Sequence, residues 1–259
     1  MAGFKEPIIQ IDQIAGVDEA VRVQLQSSLQ CLETALRTGR FDTDGNHAIE
    51  TRTILAICCR GLELTHGISA LFARGSMTAL PVLIRCLLEL VCDAVCIVED
   101  HEFEVVLRYR ALKDMHKWHK NFGHDCNSES HAVAAKVKVE LDAGETRIRF
   151  DALKAKQQYV DCGIDKVAGR LKLLERYVPA GNGSSRTHTW SQLYHVFCID
   201  THNDMKQLLP RHIKTTGQTQ QIVVYGNYDP KWISTYMVIV SELANQLTWC
   251  VTKQQLREE

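Results

Sequence analysis

From Pro81 to Val98 the chain reads PVLIRCLLELVCDAVCIV, an apolar run interrupted only by Arg85, Glu89 and Asp93, each four residues from the next. Residues four apart lie in one row on a helix, so the run describes a helix with apolar flanks and one charged stripe. A bilayer crossing is disfavoured on cost. The length barely reaches the lower limit, and each charge near the middle would cost roughly 2.5–3.5 kcal/mol on insertion scales. The segment is expected to be a buried helix of a globular fold.

The same helical period continues along the chain, with apolar positions recurring every three to four residues. A first helix is expected from Val17 to Arg37, stopped by Gly39, and a second from Ala48 to Ala73, burying Ile54, Ile57, Gly61, Leu62, Ile68 and Phe72. Ser76 or Thr78 should cap the third, with Pro81 in its first turn, where a helix tolerates proline. A fourth is expected from Glu102 to Phe122. The charged segment 128–160 reads as one or two exposed helices that project from the bundle or bridge to a partner. Ile164 to Tyr177 and Trp190 to Leu209 follow, separated by the loop-like GNGSSRTHT. Asp229-Pro230 opens a last helix on Trp232, Tyr236, Ile239, Leu243 and Leu247. Gln221 to Tyr225 is the one candidate strand. The expectation is an all-α fold, a single multi-helix bundle of seven to nine helices over residues 1–259, with at most one short β element.

Composition narrows the function classes. A 259-residue chain with 45% hydrophobic content can bury a large core. Its 30 basic and 31 acidic residues leave no bulk charge to draw it onto nucleic acid or anionic membrane. The N-terminal MAGFKEPIIQIDQ lacks the basic-then-apolar pattern of a secretory signal, so a cytoplasmic location is expected. The ten cysteines fall largely within apolar helical runs, Cys58, Cys59, Cys86, Cys92 and Cys96 among them, and read as free thiols. No Cys-x-x-Cys pair, Walker loop, dinucleotide-binding glycine motif or GxSxG elbow is present, so no cofactor is expected.

Function, if it lies within the fold, should lie on the Arg85, Glu89, Asp93 stripe. Arg85 and Glu89 can pair, but Glu89 and Asp93 repel at this spacing, in surroundings too apolar to solvate them well. The stripe therefore asks for a cation from elsewhere, and Arg108, Arg110, His66 and His202 are the candidates. The late helix offers a complement. Within WSQLYHVFCIDTHND, Tyr194, Cys198 and His202 are again four apart and share a face. A phenol and an imidazole facing a carboxylate can transfer protons, bind an anion, or satisfy buried polar groups. A structural ion-pair network that fixes helix register is the alternative to a working site.

These two helices resemble a widespread, mainly bacterial family of helical proteins of unknown function. Its marks are a Leu-x-Arg-x-x-x-Glu helix, a helix rich in Tyr and Phe, and a late Tyr-x-x-x-Ser-x-x-x-His helix. ALPVLIRCLLEL, VVLRYRALKDMHKW and YHVFCIDTH are similar to the three in turn, with Cys198 where serine is usual. The resemblance spans Ile54 to Leu209, carries over Arg85, Glu89, Tyr194 and His202, and implies a helical bundle without naming an activity.

Weaker patterns compete. Arg110 and His116 in RALKDMH fit the loose Arg-x(4–6)-His pattern of the HEPN ribonucleases of toxin and phage-defence systems. On a helix two residues so spaced point about 120° apart. Glu63-x-x-His66 resembles half of a di-iron carboxylate motif, whose second copy the sequence lacks. His116 and His119 are one turn apart without a third metal ligand at recognisable spacing. Two readings result. One is a non-catalytic module that binds a partner or ligand through the polar seam, the partner being another protein or a second copy of the chain. The alternative is a metal-independent HEPN-like ribonuclease using His202, or Arg110 with His116, in which case the partner is RNA. Neither reading calls for a membrane.

Overall fold

The computed structural model describes residues 17–73, 79–123, 127–178, 189–201, 213–216, 219–222 and 230–255. Nine α-helices lie among them: α1 (Glu19–Thr38), α2 (Ala48–Ala73), α3 (Leu80–Glu99), α4 (Glu104–Phe122), α5 (Ser128–Ala143), α6 (Glu145–Ala155), α7 (Val167–Tyr177), α8 (Trp190–Thr201) and α9 (Pro230–Gln254). The strands β1 (Ile213–Thr216) and β2 (Thr219–Ile222) form one antiparallel hairpin, with Ile213 opposite Ile222 and Thr216 opposite Thr219. The fold is all-α with this one small β element. Gln221 and Ile222 of the expected strand lie in β2, and the rest of it, 223–225, lies outside the described residues.

The chain divides into two compact units: residues 1–94 with 186–259, and residues 95–185. In the first unit α9 packs along α1 and α2. Leu25, Leu29 and Leu32 of α1, Ile54, Cys58, Ile68 and Phe72 of α2, and Met237, Val240, Leu243 and Leu247 of α9 are buried there. The crossing of α2 with α9 depends on Gly61. A Cβ at that position would lie 2.2 Å from Leu247 Cδ1, so a larger residue there would force the Leu247 side chain to turn away. The Cys58 thiol sits beside the Leu247 carbonyl, 3.7 Å away, at the same crossing. Among the described residues α2 is the one helix long and apolar enough to cross a membrane. Those are also the properties of a bundle's core helix, and Ile54, Cys58, Ile68 and Phe72 are fully enclosed by protein.

In the second unit α4, α5 and α6 pack on one another. Tyr109 of α4 stacks on Phe150 of α6 with ring centroids 4.0 Å apart, and its hydroxyl accepts a 2.9 Å hydrogen bond from Arg147. The charged segment thus folds as two helices, the second capped by the first: Glu140 Oε1 accepts from the Thr146 amide at 2.6 Å. The start of α4 falls two residues later than its periodicity suggests. Asp100 accepts from the Glu102 amide and sets up a 3₁₀ turn over His101–Phe103 first. Cys58, Cys92, Cys96, Cys162 and Cys250 are buried and Cys31, Cys59 and Cys86 exposed, and none of the nine described cysteines is in a disulfide. Cys59 and Cys86 correct the expectation of apolar surroundings: they fall on the outward faces of α2 and α3.

Candidate functional site

Helix α8 begins with a reciprocal cap. The Thr189 hydroxyl accepts from the Gln192 amide at 3.2 Å, while the Gln192 side chain accepts from the Thr189 amide at 2.8 Å. This fixes the entry of α8, and Tyr194 projects from its first turn and a half onto α3. There it completes a triangle. Arg85 Nε donates to Glu89 Oε1 at 3.1 Å and to the Tyr194 hydroxyl at 3.2 Å, and that hydroxyl donates to the same Glu89 oxygen at 2.9 Å. The guanidinium carbon lies 5.1 Å from the centre of the Tyr194 ring. One carboxylate oxygen, one phenol and one guanidinium N–H hold each other, and α3 is tied to α8 as the sequence suggested.

One detail corrects the sequence reading. The pair is not fully buried: the side chains of Arg85 and Glu89 are 25% and 26% exposed. Among the described residues the partner that the late helix brings to Glu89 is the Tyr194 phenol. Arg108 is engaged by Glu104 on its own helix at 3.2 Å, and His66 Nδ1 has no hydrogen-bond partner. Asp93, the third charge of the stripe, is 7% exposed. His202 lies outside the described residues. Cys198, one turn beyond Tyr194, is near enough to Arg85 and Tyr194 to contribute to the electrostatics of both.

The electrostatics follow from this geometry. Burial, and then the Glu89 carboxylate that accepts its hydrogen bond, push the Tyr194 phenol well above its ordinary value. Partial burial acts to lower Arg85, but the hydrogen bond to Glu89 and the neighbouring Tyr194 outweigh it, so its guanidinium is held protonated even more firmly than usual. Tyr194 is therefore a neutral donor and Arg85 a permanent cation near neutral pH. Only the Arg85 Nε is engaged among the described residues, so the two terminal nitrogens keep their donors available in the partly open seam.

The other sequence candidates are dispersed. Arg110 and His116 both lie on the unbroken helix α4, where their spacing sends them to different sides. His119 meets His131 of α5, with ring centroids 5.0 Å apart. Among the described residues no three His, Cys, Asp or Glu side chains are grouped to hold a metal ion. One partly buried polar cluster was not singled out from the sequence. Asp100 Oδ2 accepts from Tyr159 at 2.9 Å, Gln158 at 3.2 Å and Lys156 at 3.4 Å, and the Tyr177 hydroxyl lies 3.5 Å from that of Tyr159. Lys156, Gln158 and Tyr159 come from the turn after α6, and they meet Asp100 and Tyr177 from distant parts of the chain.

The fold and the seam define a helical protein in which an arginine of one helix is braced by a glutamate of the same helix and a tyrosine of a distant one. A family of unknown function (DUF5677) matches residues 52–220, and the chain belongs to that family. The matched region contains Arg85, Glu89, Tyr194 and His202. No curated protein and no solved structure matches the chain. The HEPN-like resemblance finds no support in these comparisons.

Proposed function

We propose that this helical protein is a non-catalytic binding module whose α3/α8 seam recognises an anionic group, a carboxylate or a phosphate, through Arg85. The observation that carries this reading is the division of labour on the guanidinium. Glu89 and Tyr194 engage only Nε, which locks the plane of the group, and leave the Nη1/Nη2 fork for a bidentate acceptor. A braced arginine loses less side-chain freedom when it binds than a solvated one does. Glu89 offsets part of the charge, so one anion on the fork should bind weakly, with a Kd of about 1 mM.

Catalysis has less to support it. Tyr194 keeps its proton far above neutral pH, and Arg85 does not titrate, so neither serves as a proton-transfer group near pH 7. The test follows the Arg85 side-chain nitrogen resonances by NMR while inorganic phosphate or acetate replaces chloride at constant ionic strength. Saturable shifts at Arg85 that the exposed Arg60 does not share are expected, with one of the two anions binding more tightly. Linear shifts with neither anion saturating would refute the reading.

A further inference from the structure

A second feature lies within the second unit, independent of the α3/α8 seam. Between α4 and α5 there is a cavity of about 610 Å³, a volume in the range of small-molecule sites. Its apolar walls include Met115, Trp118 and Val133, which remain 48%, 55% and 45% exposed. An indole this open at the mouth of a cavity presents a face to whatever enters.

The polar groups around it share one character. Asp114 and Glu129 line the cavity, and neither takes part in an ion pair among the described residues. His119, also in the wall, has an Nε2 closed to solvent and without a hydrogen-bond partner. Among the described residues no lysine or arginine lines the space, although α4 carries Arg108, Arg110, Lys113, Lys117 and Lys120. Lys113 reaches Asp165 at 3.4 Å and lies over the Tyr109 ring, on another side of the helix from Asp114. Among the described residues the basic side chains of α4 are thus absent from the lining, and its two carboxylates have no salt-bridge partner.

We propose that the α4/α5 cavity binds a small organic cation with an apolar body, an aromatic or aliphatic ammonium compound. The apolar part fills the space between Met115 and Val133. The ammonium lies against the Trp118 face, where the ring quadrupole attracts it, and between Asp114 and Glu129, whose charges it neutralises. An anion would meet two carboxylates, and a neutral molecule of the same shape would leave them uncompensated.

The test uses the full chain with three probes of similar size and different charge: benzylamine, which is an ammonium ion at pH 7.5, neutral benzyl alcohol and anionic phenylacetate. Binding is measured by titration calorimetry, and quenching of indole fluorescence that Trp118→Phe removes locates it. Benzylammonium is expected to bind about tenfold more tightly than benzyl alcohol, with phenylacetate weaker still. The Asp114→Asn/Glu129→Gln double variant, changed only at exposed carboxylates, should bring the ammonium down to the affinity of the alcohol. Arg85→Gln should leave all three affinities unchanged, which separates this site from the seam. Equal affinity for amine and alcohol, no saturation by the amine, or affinity for the amine unaltered in the double variant would each overturn the proposal.

Discussion

Replacing Glu89 with alanine removes the common acceptor of the seam: Arg85 Nε loses its 3.1 Å carboxylate partner and the Tyr194 hydroxyl loses its 2.9 Å acceptor. Breaking a fully buried ion pair costs about 3–5 kcal/mol, and an exposed pair contributes about 0–1 kcal/mol. With both side chains about a quarter exposed, this pair falls between those limits, because water still reaches the guanidinium fork once the carboxylate is gone. The orphaned phenol adds about 1 kcal/mol. The expected loss is about 2–3 kcal/mol for Glu89→Ala, and about 1 kcal/mol for Glu89→Gln, whose amide oxygen still accepts from Tyr194. The control is Glu63→Ala. It breaks the Arg60–Glu63 pair, whose side chains are 62% and 66% exposed, and should cost under about 1 kcal/mol. Urea unfolding followed by circular dichroism gives the comparison, read as the midpoint shift at unchanged slope. If Glu89→Ala and Glu63→Ala shift the midpoint equally, the seam does not hold α3 to α8 energetically.

Two further outcomes are expected. Gly61→Ala and Gly67→Ala make the same change on α2, but a Cβ at Gly61 runs into Leu247 whereas one at Gly67 meets nothing within 4 Å. The first should destabilise by about 1–2 kcal/mol through overpacking, the second stabilise by about 0.5–1 kcal/mol through helix propensity, and equal effects in denaturant would refute the α2/α9 close approach. Tyr159, Tyr177 and Tyr194 all have phenols raised by burial, so the fold holds their protons where the unfolded chain, titrating near about 10, releases them. Their contribution is present in full below that unfolded value and is lost as pH rises through the folded ones, so stability should fall above about pH 10. Phenolate absorbance should show them ionising only with unfolding, and Tyr194→Phe should make the fall shallower; early ionisation of all seven tyrosines in the folded chain would refute this.

Much of this molecule is legible in the sequence because much of it is local. An apolar residue every third or fourth position marks a helix whatever it packs on, and α2 occupies Ala48–Ala73 as its periodicity implies. The Arg85–Glu89 pair is local in the same sense, since both partners stand one turn apart on a single helix. What remained out of reach depends on how helices distant in sequence turn toward each other. Tyr194 shares a face with Cys198 by spacing alone, but that it meets Glu89, 105 positions earlier, follows from the packing of α8 on α3. The same holds for the α2/α9 crossing, where Gly61 receives Leu247, and for the Asp100, Tyr159 and Tyr177 cluster. Of the α4/α5 cavity the sequence contains Met115 and Trp118 on a lysine-rich helix, with nothing to say what faces them. Local periodicity determines which residues share a helical face because backbone geometry repeats every 3.6 residues. Which face meets which, and how much water is left between them, is decided by side-chain packing summed over the whole core, and only the tertiary structure carries that information.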